Sequence, residues 1–314
     1  MKKCFTLILA SIIVVPLLTA QAPNYRSIAS EITAHASTKM QKVRAIYNWI
    51  CENIEYDTSF QIYHADECYK HRKGVCQAYS ELMCSLCQAV GVPCTLVSGV
   101  GRYQYGGGPH AWVYADVEKG RILIDPTWGA GYVNGSTFTF RQDHSLWFDV
   151  DPYWMIFTHY PDNAEHQFID QPISRETFNR LPRLEPSCKN FGWKAQTIFN
   201  KFLRNEITAF PSFYGEDQAM FLDADIPAQR YLYVGVEYTF KLKVKDPQKI
   251  AIVTDEEWYT HERWQREGEY SILRLTPTTP GPLSIFYQQD DGSYGTVLGY
   301  EVLPIVHRPS RSVE

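Results

Sequence analysis

The sequence has no excess of basic residues, no run of lysine and arginine, and no low-complexity tract. Its 30 lysines and arginines are outnumbered by 35 aspartates and glutamates, which gives a formal charge of −5 at pH 7. Nucleic-acid-binding proteins usually present a basic face, so this balance argues against that class. The chain also shows no repeat at a fixed period, which argues against solenoid architectures. Apolar residues make up 45% of the 314 positions, enough for one large domain or two smaller ones.

An apolar run near the N-terminus, residues 4–18, is too short to span a membrane. A transmembrane helix needs about 20 consecutive apolar residues, and Pro16 interrupts the run. Two lysines precede the run, and the small residues Ala20 and Ala22 follow it, which is the pattern of a secretory signal peptide. We therefore predict that residues 1–20 are a signal peptide. The protein would be exported to the periplasm, the cell surface or the medium, without a stable membrane span.

Seven cysteines follow the predicted signal peptide, and an odd number leaves at least one free thiol in an oxidising compartment. They are Cys51, Cys68, Cys76, Cys84, Cys87, Cys94 and Cys188. If Cys76 is the free thiol, the other six allow disulfides whose pairing the sequence does not assign. Cys84 and Cys87 form a C-x-x-C pair inside a predicted helix with no second Cys/His pair nearby, which disfavours a metal site or a redox site. We predict no metal and no cofactor.

Hydrophobic periodicity predicts helices and strands in the first half of the chain. Apolar residues recur at helical spacing over residues 38–53 and again from residue 76 to residue 90. Residues 94–100 have the pattern of a buried strand. Residues 110–117 and 121–125 have the pattern of two strands joined by a tight turn.

The turn between these two strands decides whether a histidine and an aspartate can meet. If Glu118 and Lys119 are the two turn residues, the numbers of paired residues sum to 237. His110 then faces Thr127, and Asp125 is its diagonal neighbour on the same face. Diagonal neighbours lie ~7–8 Å apart at the backbone, within reach of a side-chain contact. A three-residue turn would place the two side chains on opposite faces unless a bulge intervened.

From about residue 211 the pattern changes to short strands separated by Gly, Pro and Asp turns, which is typical of a small β-sandwich. The predicted strands are residues 231–236, 238–244, 249–254, 270–275, 283–287 and 296–303. Proline and charge density rise between residues 171 and 189. We predict a core with an aromatic-rich extension over residues 21–195 and a β-rich, immunoglobulin-like domain over residues 196–314.

A thiol, an imidazole and a carboxylate occur in the order needed for cysteine-based acyl transfer. Cys76 opens a predicted helix, whose dipole favours a thiolate and whose N–H groups would face a developing oxyanion. Gly74 allows a sharp turn and close approach of a substrate. His110 would pair with the thiolate, and Asp125 would accept a hydrogen bond from its far nitrogen. Each residue alone also has an ordinary structural interpretation, but their combination favours chemistry.

Three blocks of residues resemble the core of the transglutaminase-like superfamily. They are GVCQAYSEL from Gly74, HAW from His110 and DPTWG from Asp125, with GVP from Gly91 between the first two. The stretch over residues 147–170 is similar to the segment that follows this core in the kyphoscoliosis-peptidase branch. The resemblance covers roughly residues 43–129 for the core, and branch members can have β-rich domains after it.

The resemblance implies an α+β, papain-like fold, in which a helix-borne cysteine packs on an antiparallel sheet. It also implies Cys76 as nucleophile, His110 as base and Asp125 as the orienting acid. The superfamily includes crosslinking enzymes, peptidases, amidases and inactive members. No motif identifies an oxyanion-hole side chain, for which Gln61 and Trp49 are the candidates.

These observations predict an exported cysteine enzyme that acts on a protein or peptide substrate through a thioester, hydrolytic rather than crosslinking. Four aromatic residues are candidates for lining the cleft: Tyr103, Tyr105, Trp112 and Trp128. The alternative hypothesis is a catalytically silent scaffold that binds a protein or glycan at the cell surface. That scaffold would use the aromatic-rich segment and the β-rich domain. The sequence does not indicate an oligomeric state.

Overall fold

The computed structural model describes residues 22–103, 106–214, 221–255 and 257–304, so the predicted signal peptide lies outside the described residues. The helices are α1 (Tyr25–Ile32), α2 (Lys39–Asn53), α3 (Ala65–His71), α4 (Cys76–Ala89), α5 (Pro126–Ala130), α6 (Pro152–Met155), α7 (Arg175–Arg180) and α8 (Ala195–Leu203). The strands of the first half are β1 (Glu55–Tyr56), β2 (Lys73–Gly74), β3 (Cys94–Arg102), β4 (Gly107–Val117), β5 (Gly120–Ile124), β6 (Gly131–Asn134), β7 (Thr137–Phe140), β8 (Phe148–Val150) and β9 (His159–Pro161). The strands of the second half are β10 (Ser212–Phe213), β11 (Phe221–Asp225), β12 (Tyr231–Tyr233), β13 (Tyr238–Val244), β14 (Ile250–Thr254), β15 (Trp258–Thr260), β16 (Gln265–Glu267), β17 (Tyr270–Leu275), β18 (Gly281–Gln288) and β19 (Tyr294–Leu303).

Helix α2 begins where the sequence predicts, because its N-terminus is capped from two directions. Thr38 and Gln41 form a reciprocal capping box. The carboxylate of Glu118, in the turn between β4 and β5, accepts hydrogen bonds from the backbone N–H groups of Lys39 and Met40. The turn of the hairpin is therefore bonded to the start of the helix that packs on it.

The central sheet is antiparallel, with strand order β8-β5-β4-β3-β9. In the β4–β5 hairpin, Val117 pairs with Gly120 and Val113 pairs with Ile124, so the paired numbers sum to 237. The predicted two-residue turn and its register are confirmed. This register brings the end of β5 beside the middle of β4, where the candidate histidine lies.

Both faces of the central sheet are covered by apolar side chains. One face, which includes Val113 and Ile124, packs against α2 and α4. The opposite face, which includes Trp112, belongs to a hydrophobic cluster that continues into the strands of the second half. A sheet buried on both faces is a rigid support for the site residues that its strands carry.

The second half contains two sheets whose strands are mostly antiparallel, which confirms a β-rich region after the core. Their orders are β10-β19-β18-β14-β15, with β12 pairing parallel to β19, and β11-β13-β17-β16. Apolar residues of both sheets share one cluster, as in a sandwich. The six predicted strands are present, although the first is shorter than predicted. Strands β10, β11, β15 and β16 were not predicted, because they are short and their burial does not alternate regularly.

The predicted boundary between residues 195 and 196 falls at the start of α8. Buried residues on both sides of that point, such as Phe191 and Phe199, belong to one hydrophobic cluster. The division of the chain into two domains stays a prediction. None of the helices in the described ranges combines the length and apolarity needed to cross a membrane.

Candidate active site

The nucleophile candidate, Cys76, is the first residue of α4. The chain reaches it through β2, and the N-cap residue Val75 makes no side-chain cap hydrogen bond. The first hydrogen bond of the helix joins the N–H of Tyr79 to the carbonyl of Val75. The N–H groups of residues 76–78 therefore have no acceptor within the helix. Such N–H groups and the helix dipole favour a negative charge at the thiol.

Gly74 is required by close packing just before the nucleophile. A Cβ added there would lie 2.8 Å from the Cβ of Ala78 and 3.0 Å from the Sγ of Cys68. Real Cβ atoms essentially never approach as closely as the first distance, and the second is a tight contact, so a larger residue would displace the start of α4. The sequence predicts that Gly74 allows a sharp turn and substrate approach, and the structure adds this packing role.

His110, on β4, and Asp125, directly after β5, meet as the hairpin register predicts. The Nε2 of His110 lies 2.7 Å from the Oδ2 of Asp125, and both side chains are buried. The Oδ1 of Asp125 accepts the backbone N–H groups of Thr127 and Trp128, each at 2.9 Å, and so caps α5. The hydrogen bonds to α5 hold the carboxylate of Asp125 in place, and the carboxylate in turn orients the imidazole of His110.

The charges of the three residues support one another. Burial disfavours the charged form of each, but the charge and hydrogen bond of Asp125 raise the pKa of His110 to about 9. For the same reason, His110 and the other donors hold the pKa of Asp125 well below its usual range despite burial. Burial would raise the pKa of Cys76, whereas the hydrogen bond and charge of His110, aided by the N–H of Ala111, lower it. A thiolate–imidazolium pair is therefore favoured.

His159, on β9, is a site residue that the sequence-based argument did not identify. Its Nε2 lies 3.0 Å from the Oδ2 of Asp125, the oxygen that also bonds His110. Burial lowers the pKa of His159 to about 4, so the ring is neutral and Nε2 carries the donated hydrogen. Its Nδ1 then accepts from the hydroxyl of Thr158 at 2.8 Å. The signal was the position of His159 in the segment that resembles the kyphoscoliosis-peptidase branch, but only the pairing of β3 with β9 brings it to Asp125.

Aromatic rings surround the histidines, and two of the four predicted lining residues flank the site. The ring centroids of Tyr103 and Trp128 lie 6.4 Å and 5.1 Å from that of His110. Trp112 is fully buried and stacks at 6.1 Å behind His110, so it belongs to the core and does not line a cleft. Tyr105 lies outside the described residues.

The two oxyanion-hole candidates are engaged elsewhere. The Nε2 of Gln61 donates to the carbonyls of Ser59 and Phe60, at 2.9 Å and 3.2 Å. Trp49 stacks on Tyr69 at 5.8 Å. The donors that the structure does provide for an oxyanion are the backbone N–H groups at the start of α4.

Two groups of residues bring together side chains that can bind metals. Ligand atoms of His110, Asp125 and His159 lie within 4.8 Å of one another. However, both ring nitrogens already donate to one carboxylate oxygen at 2.7 Å and 3.0 Å, so hydrogen bonding accounts for this cluster. Cys84 and Cys87 are both buried, and the Sγ of Cys84 lies 3.3 Å from that of Cys94. Burial disfavours a redox role for the C-x-x-C pair.

The seven cysteines of the described ranges are all free thiols. Cys76 is the partly exposed one, and the other six are buried. Burial raises the pKa of Cys51, Cys68 and Cys188, which makes those thiols poor nucleophiles. Cys76 thus differs from these three cysteines in both exposure and ionisation.

This geometry defines a cysteine site with a helix-borne thiol and a buried His–Asp pair. Residues 26–128 match the family model described as the transglutaminase-like superfamily.

The chain is also 32% identical over 167 residues to the kyphoscoliosis peptidases of Mus musculus and Homo sapiens. The aligned part covers 48% of this chain and 25% of each relative, so the chain spans about a quarter of the relatives' length.

Solved structures show partial similarity. One is a candidate cysteine protease from Cytophaga hutchinsonii, with 26% identity, a TM-score of 0.31, and coverage of 32% of this chain and 36% of that chain. Another is described as a TGase, with 18% identity, a TM-score of 0.28, and coverage of 38% and 32%.

Proposed function

We propose that the protein is a cysteine acyl-transfer enzyme that acts on peptide or side-chain amides through a thioester. The observation that supports this most directly is the continuous link from Cys76 through His110 to Asp125 at the open N-terminus of α4. The match of residues 26–128 to the transglutaminase-like family model also supports a cysteine enzyme.

The residues suggest a two-step reaction. The thiolate of Cys76 attacks the amide carbonyl carbon, and the resulting oxyanion is met by the N–H groups at the start of α4. The C–N bond then breaks as His110 gives its proton to the leaving amine, which leaves a thioester. In the second step His110 removes a proton from water, the resulting hydroxide attacks the thioester, and the C–S bond breaks to release the acid product and the Cys76 thiolate.

Hydrolysis and crosslinking differ only in what attacks the thioester. Water gives hydrolysis, and a lysine amine gives a new amide bond. We propose hydrolysis because the curated relatives that the chain resembles are named as peptidases. We also propose export through the signal peptide predicted at residues 1–20.

A second candidate function is a binding scaffold without turnover. Trp258 is 48% exposed, and its ring centroid lies 5.7 Å from that of Phe286 and 5.2 Å from that of Tyr294. An exposed aromatic cluster of this kind is typical of a surface that binds a protein or a glycan. This function does not require a reactive Cys76.

The two candidates are separated by the reaction with p-nitrophenyl acetate. An acyl-transfer enzyme should release nitrophenolate in a burst while an acetyl group forms a thioester on Cys76, located by peptide mapping. Cys76→Ala should abolish the burst, and Cys84→Ala, which removes a buried thiol, should retain it. Adding n-butylamine tests the fate of the thioester, because acetate formation unchanged by the amine supports hydrolysis. Release of nitrophenolate by Cys76→Ala at the same rate as by the unaltered chain would contradict the proposed function.

A further inference from the structure

A groove of about 660 Å³ opens beside the candidate active site, between the β3–β4 hairpin and α7. Tyr103, Pro109 and Phe178 line its apolar part, and Arg102, Arg175 and Arg183 line its charged part. Three arginines in one groove next to a nucleophile are a feature that the triad chemistry does not use.

The groove is continuous with the catalytic residues through Tyr103 and Pro109. Pro109 directly precedes His110, and the hydroxyl of Tyr103 donates to the carbonyl of Pro109 at 3.4 Å. Burial raises the pKa of Tyr103 to about 12, with a further contribution from the charge of Cys76. Tyr103 therefore lies between the groove and the site, and a peptide that extends from the groove past Tyr103 would approach the thiol.

The positive charge of the groove is only partly neutralised. Arg183 pairs with Glu185, whereas neither Arg102 nor Arg175 has an ion pair with a carboxylate within the described ranges. Burial lowers the pKa of Arg102, and the charges of Arg175 and Arg183 lower it further. This mutual repulsion would be relieved by an anion in the groove.

The two unneutralised guanidinium groups are held in place. Arg102 donates to the backbone carbonyls of Phe178 and Leu181. The guanidinium of Arg175 lies 5.2 Å from the ring centroid of Tyr160 and 5.6 Å from that of Phe178, and its Nε donates to Asn179 at 3.3 Å. Preorganised guanidinium groups are well suited to bind carboxylates, because little side-chain freedom remains to be lost.

We propose that this groove binds a carboxylate of the peptide substrate, with Arg175 as the main cation and Arg102 as its neighbour. The inference rests on the proposed function and specifies its substrate class, namely acidic peptides. The carboxylate can belong to an aspartate or glutamate side chain or to the end of the peptide chain, and the two sources share the same chemistry.

The test is protection of Cys76 from iodoacetamide in the full chain by three pools of acetylated hexapeptides. The first pool contains glutamate and ends in an amide, the second has glutamine and an amide end, and the third has glutamine and a free carboxylate end. We expect the first pool to protect at a concentration at least about tenfold below that of the second. The third pool reveals whether a terminal carboxylate is also accepted. Salt at about 0.5 M should narrow the difference.

Matched variants on α7 identify the cation. Arg175→Gln should remove the preference for the glutamate pool. Arg180→Gln, an exposed arginine of the same helix outside the groove, should keep it. Equal protection by the first two pools of the unaltered chain, or a preference that survives in Arg175→Gln, would overturn the proposal.

A second measurement separates this proposal from the proposed function. Fluorescence anisotropy of the glutamate pool and of the glutamine pool, each labelled with fluorescein and titrated with the full chain carrying Cys76→Ala, requires no reactive thiol. A glutamate preference of about tenfold or more there supports the groove even if Cys76 proves unreactive. If the Cys76→Ala chain binds the glutamate and glutamine pools equally, the proposed carboxylate site in the groove is refuted, even if Cys76 is fully active.

Discussion

Asp125 organises the candidate site, because its two oxygens serve different partners. One oxygen caps α5, and the other accepts hydrogen bonds from His110 and His159. Four donors converge on one fully buried carboxylate, which explains how a charge is tolerated at a position with no exposure.

Asp125→Asn is expected to lower the rate of acylation of Cys76 by roughly 10²- to 10⁴-fold. Asparagine can keep the cap of α5 through its carbonyl oxygen, but its amide would meet the N–H of His110 and force the other tautomer. The measurement is the nitrophenolate burst with p-nitrophenyl acetate, with urea unfolding as the check that the fold is retained. A folded variant with an undiminished burst would show that the carboxylate does not orient His110.

At the residue scale, the sequence predicted the three triad positions but not their fourth partner. His110 and Asp125 are close in sequence and belong to one hairpin, so local register determines their contact. His159 lies 34 residues beyond Asp125, and its place depends on the tertiary pairing of β9 with β3. No local pattern encodes that pairing.

At the scale of elements, the site depends on how closely α5 packs against α2. A Cβ added at Gly129 would lie 2.0 Å from the hydroxyl oxygen of Tyr47, whose hydrogen is donated to the carbonyl of His144. The residue that caps α5 is Asp125, so any displacement of α5 moves the carboxylate. The fold therefore transmits a packing change on α2 to the candidate site.

Gly129→Ala is expected to destabilise the protein by about 1–3 kcal/mol and to reduce the acylation rate as well. The free energy of unfolding in urea measures the first effect, and the nitrophenolate burst measures the second. Gly108→Ala is the matched control for stability, because a Cβ there meets only Tyr103, at an ordinary 3.7 Å. Equal stability of the two variants would mean that α5 can move away from Tyr47 without cost.

The elements themselves divide into those that the sequence predicts and those that it does not. Helices α2 and α4 have capping or amphipathic signals, and β3 to β5 are apolar runs, two of which are joined by a two-residue turn. The unpredicted strands β15 and β16 are three residues long, with no buried residue. They are strands because a neighbour supplies their hydrogen bonds, which is a tertiary effect.

At the scale of the whole molecule, two histidines with opposite protonation are buried against one carboxylate. The pKa of His110 is raised to about 9, whereas that of His159 is lowered to about 4. Compared with the unfolded chain, the folded state therefore holds up to one proton more at His110 between about pH 6.5 and 9, and up to one proton fewer at His159 between about pH 4 and 6.5. This arrangement makes the stability of the molecule depend on pH.

Acidification is expected to destabilise the protein through His159. In the unfolded chain this histidine protonates near pH 6.5, whereas in the folded state it stays neutral until about pH 4. The unfolded state thus binds more protons in this window. As the pH falls from about 6.5 to about 4, the free energy of unfolding therefore decreases by at most about 3 kcal/mol. Urea unfolding at several pH values between 4 and 7 measures the slope.

The same measurement on His159→Gln should give a smaller slope, because the titrating group is gone while a side-chain donor remains. His35→Gln is the control, since His35 is exposed and its replacement should leave the slope unchanged. Identical slopes for His159→Gln and the unaltered chain would contradict the assignment of a neutral, buried His159.

The central claim is that Cys76 is a thiolate activated by His110, and the most direct test is the pH dependence of its alkylation by iodoacetamide. Peptide mapping would separate Cys76 from the six buried thiols. We expect an apparent pKa well below the ordinary ~8.5 in the unaltered chain. In His110→Ala the value should rise to or above ~8.5, because burial then acts without an opposing charge. An apparent pKa near 8.5 that His110→Ala does not change would contradict the claim.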